Sequence, residues 1–311
     1  MEIVPKTMER DRVAALLTCF NRKAKTLACL EALYNQKLLA NKASIEVYLV
    51  DDGSNDGTTE AVSQAFPQVH IRRGTGNLFW NGGMRQAFTE AIKQDYDFYL
   101  WLNDDTLLYP HALTNLLDTH QSLTAQGHPR PLISGSTQDA DTGELTYGGV
   151  IRRSLLRPIK FDLLEPGDEA KPCDTINGNC VLIPRSVVEV VGNLDPAFTH
   201  YAGDWDYGLR ARKQGCTVWI CPGYVGTCSR NYVPGVKRPP RVKASEGLKK
   251  IAQPKGLPFE DETLHPLNEW KVFAQRYAGP FPLWIVYWLI PYRRLVWLSV
   301  TGLFRQSKTQ T

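Results

Sequence analysis

The 311-residue sequence predicts an α/β fold: a Rossmann-like, mostly parallel sheet flanked by helices. Two observations carry this expectation. Through the first third of the chain, short apolar runs alternate with segments whose apolar residues recur at helical spacing. Several of these runs stop abruptly at acidic or amide residues, as strands do at the ligand-binding edge of an open sheet.

The elements follow in order. Residues 12–20 are apolar between polar flanks and read as a buried strand. Over residues 22–37, Leu27, Leu30, Ala32 and Leu33 fall at near-helical spacing. Residues 45–50 form a second strand ending at Asp51, followed by a short helix over 57–66 and a strand over 69–72. A helix is expected over 83–93 and a fourth strand over 98–102, stopped by Asn103. From 130 to 180 the pattern breaks into short segments punctuated by Gly135, Gly143, Gly148 and Gly149. Residues 175–184 then read as a strand, and 204–214 as a helix closed by Gly215.

Bulk properties exclude some classes. A 43% hydrophobic, 22% charged composition has enough apolar material for a core and too much for general disorder. A net charge of +4 is small for this length and argues against a nucleic-acid binder. The charge is uneven: residues 230–255 hold many Lys and Arg against one acid, Glu246, which suits either anionic headgroups or a solvated linker. The seven cysteines are odd in number and form no CxxC pair, so they read as reduced structural thiols in a cytosolic protein. Residues 1–12 lack the apolar run of a secretory leader, and the chain is expected to stay inside the cell.

Residues 281–304 are rich in aromatics, with Trp284, Tyr287, Trp288, Tyr292 and Trp297. Arg293 and Arg294 split them into two runs, each short of the ~20 residues that span a bilayer. They suit a helical extension lying in the headgroup region of a membrane, or a terminal helix packed on the core.

The chemistry concentrates at the expected strand ends. The first strand empties into Thr18, Cys19, Phe20, Asn21 and Arg22; the second into Asp51, Asp52, Gly53 and Ser54; the fourth into Asn103, Asp104, Asp105 and Thr106. Between the last two lies a loop over residues 76–85 with Gly82 and Gly83. That glycine pair either offers backbone N–H groups to a diphosphate or makes a tight turn. Carboxylates crowded at one edge repel each other and call for a cation or a hydrogen-bonding ligand. Hard oxygen donors beside a diphosphate suit Mn²⁺ or Mg²⁺. No Gly-x-Gly-x-x-Gly follows the first strand and no Walker lysine motif is present, which argues against a dehydrogenase and a P-loop enzyme.

With blocks at 18–22, 50–58, 103–106 and 203–215 in this order, the chain resembles family 2 glycosyltransferases of the GT-A fold over about residues 12–230. The resemblance implies a nucleotide-sugar transferase domain over 1–230, a basic linker over 231–262 and an aromatic-rich helical extension over 263–311. It implies that Thr18, Phe20, Asn21, Arg22, Asp51 and Asp52 bind the nucleotide sugar, with Asp52 accepting from a pyrimidine imide N–H. Gly83 and Arg85, closing the 76–85 loop, join that donor set. The stretch from Asn103 to Asp105 stands at the family's Asp-x-Asp motif with Asn in the first place; Asp104 would face the ribose and Asp105 the metal. Asp204 is the expected catalytic base, taking the proton of the acceptor hydroxyl, with Asp206 as the second choice or as a helix-start stabiliser. Trp205 stacks on an acceptor sugar or packs in the core. The histidine that family members place after the following strand, as a further metal ligand, is missing; Cys228, Asn231 or water would take its place. His200 is assigned no role.

The expected function is inverting transfer from a UDP- or dTDP-sugar to a hydroxyl of a lipid-linked glycan in surface polysaccharide synthesis, as in bacterial rhamnosyl- and hexosyltransferases. The expected place is the inner face of the cell membrane. A sugar nucleotidyltransferase would put a glycine-rich basic loop at residues 18–22, which differ. A non-catalytic nucleotide- or sugar-binding module would lack the metal or base carboxylate.

Overall fold

The computed structural model describes residues 10–37, 42–229, 257–259 and 262–293. In chain order these hold β1 (Asp11–Cys19), α1 (Lys23–Tyr34), β2 (Ala43–Asp51), α2 (Thr58–Ala65), β3 (His70–Arg73), α3 (Phe79–Ile92) and β4 (Phe98–Leu102). Next come β5 (Leu107–Leu108), α4 (Ala112–Ala125), β6 (Pro131–Gln138), β7 (Leu145–Tyr147), β8 (Gly149–Ser154), β9 (Arg157–Leu163), β10 (Lys171–Pro172) and β11 (Thr175–Ile176). The rest are β12 (Cys180–Pro184), α5 (Arg185–Val191), α6 (Gly203–Lys213), β13 (Thr217–Thr227), β14 (Leu257–Phe259), β15 (Glu262–Leu264), α7 (Leu267–Tyr277) and α8 (Leu283–Leu289).

β1 and β4 are continuous apolar runs because the sheet covers them on both sides and helices cover both faces. The main path of the sheet runs β10-β13-β6-β12-β4-β1-β2-β3. β3, β2, β1 and β4 are parallel, β12 is reversed against both β4 and β6, and β13 again runs parallel to β6. The expected α/β, mostly parallel sheet flanked by helices is therefore observed. One face is packed by α1, α2 and α4 through residues such as Leu30, Val62 and Leu116. The other is packed by α3, α5 and α6 through Phe88, Val187 and Tyr207, which surround the buried Trp101.

Three boundaries differ informatively from the sequence reading. α3 begins at Phe79, well ahead of residue 83, because the Asp52 carboxylate accepts the N–H groups of Leu78 and Phe79 (2.8 and 3.0 Å). A carboxylate there satisfies orphan donors and complements the helix dipole. The strand expected over 175–184 is two strands, β11 and β12, separated by Asn177, Gly178 and Asn179. The extension expected from 263 is joined to the body as far as it is described. Trp270, Phe273 and Tyr277 of α7 share a buried cluster with Ile159, Phe198 and Leu209, and Arg276 pairs with Asp195 and Asp206. The basic stretch over 230–255 and Asn231 lie outside the described residues.

Candidate active site

A cleft of about 540 Å³ opens beyond the carboxyl ends of β1, β2 and β4. Backbone strain collects around it. Among the described residues, four non-glycine positions have positive φ, and three of them, Asn21, Phe79 and Ala202, line or border the cleft. Such conformations persist only where the surroundings enforce them, and they collect at functional sites.

The first wall comes from the loops after β1 and β2. Thr18 lines the cleft and donates its hydroxyl to the Val50 carbonyl (3.1 Å). Phe20 is half exposed at its mouth. Asn21 does not line it; its N–H donates to Ser54 Oγ and its Oδ1 accepts the Asn55 N–H (both 2.8 Å), which stitches the two loops together. Asp51 also stays out of the cleft, since its buried carboxylate accepts the Ser54 N–H (2.9 Å) and the Thr59 hydroxyl. Asp52 does line it, and its carboxylate accepts the N–H groups of Gly76, Leu78 and Phe79, so it positions the 76–79 loop.

Gly83 and Arg85 are not among the lining residues. Gly83 sits inside α3 flush against Thr18, where any Cβ would collide with the threonine side chain. The glycine therefore serves the close approach of helix to strand.

The acidic floor lies at the end of β4. Arg22 Nη1 bridges Asp104 Oδ1 (3.1 Å) and Asp105 Oδ2 (2.9 Å), with Lys25 3.6 Å from Asp105. Asp104 is 5% exposed, and its Oδ2 is buried without a hydrogen-bond partner although the residue lines the cleft. Burial pushes its carboxyl up to about 6 against the pull of Arg22. The Cys228 thiol donates to Asp105 Oδ1 at 3.5 Å and is itself raised to about 12, chiefly by burial and then by the charge of Asp105. No group of three or more acidic, His or Cys side chains is arranged to hold a metal among the described residues.

The opposite wall comes from the β11–β12 break, the start of α6 and the approach to α7. Asp204 Oδ2 accepts the Gly178 N–H (2.9 Å) and Oδ1 the Trp205 N–H (2.8 Å). Burial raises its carboxyl to about 6, with those two N–H groups opposing. Trp80 lies against Gly178, where a Cβ would strike the indole, and its Nε1 donates to Asn103 Oδ1 (2.7 Å). Asn103 thus carries an acceptor role that its Asp-x-Asp position did not announce. Trp205 both lines the cleft and packs on Phe161 (5.2 Å between centroids).

Asp206 lies in the first turn of α6. It is fully buried away from the cleft, with Oδ2 accepting from Arg210 (2.7 Å) and Oδ1 from Arg276 (2.8 Å) and Tyr277 (2.7 Å). A carboxylate held by two guanidinium groups is a poor base and a good structural pin.

Several lining residues had no signal in the sequence. His265, just before α7, reaches the cleft and packs near Tyr201 and Trp205. His200 and Tyr201 also line it, with rings 4.4 Å apart. Asn177, Gly178 and Asn179 had one signal, an Asn-Gly-Asn step inside an otherwise apolar run.

A mostly parallel α/β sheet with a cleft at its strand ends, an acid pair on the floor and a lone carboxylate opposite has the layout of the GT-A class. The chain belongs to Glycosyl transferase family 2, whose model matches residues 15–189, more than half of it. It is 26% identical over 200 residues to an N-acetylglucosaminyl-diphospho-decaprenol L-rhamnosyltransferase of Mycobacterium tuberculosis, covering 57% of this chain and 64% of that one. It is 24% identical over 179 residues to the low-salt glycan biosynthesis hexosyltransferase Agl10 of Haloferax volcanii, covering 57% and 56%. The matches thus span less than two thirds of these relatives' lengths. Among solved structures, the mannosyltransferase PcManGT of Pyrobaculum calidifontis, in complex with GDP-Man and Mn²⁺, aligns with a TM-score of 0.52 over 99% of this chain and 78% of that one. At 14% identity this is a likeness of fold.

Proposed function

We propose that the chain is an inverting, metal-dependent glycosyltransferase. It moves a sugar from a UDP- or dTDP-sugar to a hydroxyl of a lipid-linked glycan in surface polysaccharide synthesis. The observation that carries this reading is Asp204: a carboxyl near 6, oriented by two backbone N–H groups, in the same cleft as Asp104. A base with that value is ionised at neutral pH yet basic enough to take the acceptor hydroxyl's proton as attack proceeds.

Thr18, Phe20 and Asp52 hold the nucleotide, and Arg22 is the cation nearest the diphosphate. Arg22 then exchanges part of its bridge to Asp104 and Asp105 for phosphate oxygens, which a planar guanidinium binds well. The unpartnered Asp104 Oδ2 accepts from a ribose hydroxyl or faces a cation. Mn²⁺ or Mg²⁺ held by Asp105 with Asp104 would supply Lewis-acid neutralisation of the departing diphosphate. Two carboxylates suffice for such an ion when substrate phosphates and water complete its shell, which fits a site with no cluster of three such ligands among the described residues. The Mn²⁺ in the mannosyltransferase structure supports the same expectation. Trp205 stacks on the acceptor, and Asp204 takes its proton.

The diphospho-decaprenol in the rhamnosyltransferase's name supports a lipid-linked acceptor and a peripheral place at the inner membrane face. No helix among the described residues is long and apolar enough to cross a membrane, which suits contact through the C-terminal segment. Melting curves with UDP, dTDP or GDP, each with Mn²⁺ or EDTA, test the donor site. One pyrimidine diphosphate raises the melting temperature only with metal, and Asp105→Ala abolishes the rise. Stabilisation by none of them overturns the reading.

A further inference from the structure

The turn between β8 and β9 carries Leu155 and Leu156, 89% and 82% exposed. Single exposed leucines need no explanation, but these two extend a larger surface. Tyr287 of α8 donates its hydroxyl to the Leu156 carbonyl (2.8 Å), which ties the hairpin tip to the C-terminal helix. Phe281 before α8 is 76% exposed, and Leu283, Val286, Leu289 and Ile290 are exposed as well. Their spacing of three and four puts them on one stripe. The other side of α8 faces the body: Trp284 and Trp288 pack on the α7 cluster, and Trp288 Nε1 donates to the Leu267 carbonyl (2.9 Å). An aliphatic stripe and a leucine tip held together make an exposed apolar surface of the kind that marks an interaction site.

Charge selects the occupant. Arg157 flanks the leucines, Arg293 follows α8, and no Asp or Glu occurs between residues 280 and 311, whereas Arg153 is paired with Asp162. A two-fold pairing with a second copy would set like cationic rims against each other. An anionic bilayer offers the opposite charge at its surface and apolar chains beneath it.

We propose that the β8–β9 hairpin tip and α8 form one lipid-docking surface, with Leu155 and Leu156 entering the headgroup–acyl boundary of an anionic bilayer beside Phe281. This deepens the membrane contact proposed above by adding a second, sequence-distant element to it. β9 continues from the tip through Ile159 and Phe161, and Phe161 packs on Trp205 at the cleft. The docked surface therefore holds the Trp205 wall close to the bilayer, where a lipid-linked acceptor is anchored.

Co-sedimentation of the full chain with vesicles of phosphatidylcholine, with and without phosphatidylglycerol, tests this for wild type and Leu155→Ser/Leu156→Ser. The wild type partitions onto the anionic vesicles, less so at high salt. The double variant binds them ~10-fold or more weakly, with an unchanged melting temperature and unchanged turnover of a water-soluble acceptor. Quenching of a Leu155→Trp variant's added emission by brominated lipid supports insertion directly. Binding by the double variant equal to wild type overturns the hairpin's part. So does a wild-type dimer that the double variant dissolves, because a second copy then covers the surface. Because vesicle binding is read without catalysis, an absence of transferase activity refutes the function proposed above and leaves the docking result standing.

Discussion

Asp204 and Asp206, one residue apart at the start of α6, meet opposite environments. Asp206 points into a cage of Arg210, Arg276 and Tyr277; Asp204 points into the cleft and is held by two N–H groups alone. An aspartate in an unfolded chain titrates near ~3.9, so the shift of Asp204 to about 6 is an effect of the fold. Well below pH 4 its carboxyl is neutral in both states; between about pH 4 and 6 the unfolded state gives up the proton that the folded state keeps, so the penalty grows there and is complete above about 6. The proposed base therefore costs stability at neutral pH. Asp204→Asn is expected to lower kcat ~10²–10⁴-fold while melting no lower than wild type at pH 7.5. In the wild type, kcat/KM falls as pH drops through about 6, with a limb that Asp204→Asn removes; a profile flat from pH 5 to 8 would refute the assignment.

At the scale of elements, the break between β11 and β12 is where the cleft is made. The three residues Asn177, Gly178 and Asn179 leave the ladder, and Gly178 is pinched between the Trp80 ring and Asp204. Gly178→Ala forces the indole off its Asn103 acceptor and shifts Asp204, so turnover should fall ~10–100-fold through misalignment. Nucleotide affinity, measured by calorimetry, should stay within a few-fold. Equal turnover would show that the Trp80–Gly178–Asp204 stack does not position the base.

The same element shows where sequence reading stops. β1, β2, β4 and their terminal motifs were legible because a strand buried on both faces is apolar throughout and its end is marked by Asp51 or Asn103. The site's first wall was legible in part: Thr18, Phe20, Arg22, Asp52 and Asp104 reach the cleft, whereas Asn21 and Asp51 are spent on turns. Periodicity cannot tell which of two nearby acids faces in; the family resemblance ranked Asp204 ahead of Asp206, and the geometry puts only Asp204 in the cleft. His265 had no local signal, since only the packing of α7 brings it to the cleft.

Across the whole molecule, α7 closes the fold. Phe273 is fully buried against Phe198, and Arg276 spans Asp195 and Asp206. Phe273→Ala should cost ~3–5 kcal/mol by cavity formation. Arg276→Ala should cost ~1–3 kcal/mol, because Asp206 keeps Arg210 and Tyr277 as partners. Both should shift one cooperative denaturant transition in which tryptophan fluorescence and far-UV circular dichroism coincide. Two separate transitions would mean that the C-terminal helices form a unit apart from the α/β body.

Asp204 is the proposed base of an inverting transfer, and a transfer assay with NMR of the product puts that role to the test. A UDP- or dTDP-sugar, selected by the metal-dependent stabilisation, is incubated with a lipid-diphosphate glycan acceptor and wild type or Asp204→Asn. The wild type should give a product of inverted anomeric configuration, and the variant should bind donor with unchanged affinity but turn over at least ~100-fold more slowly. A product with retained configuration, or a variant within a few-fold of wild type, would contradict it.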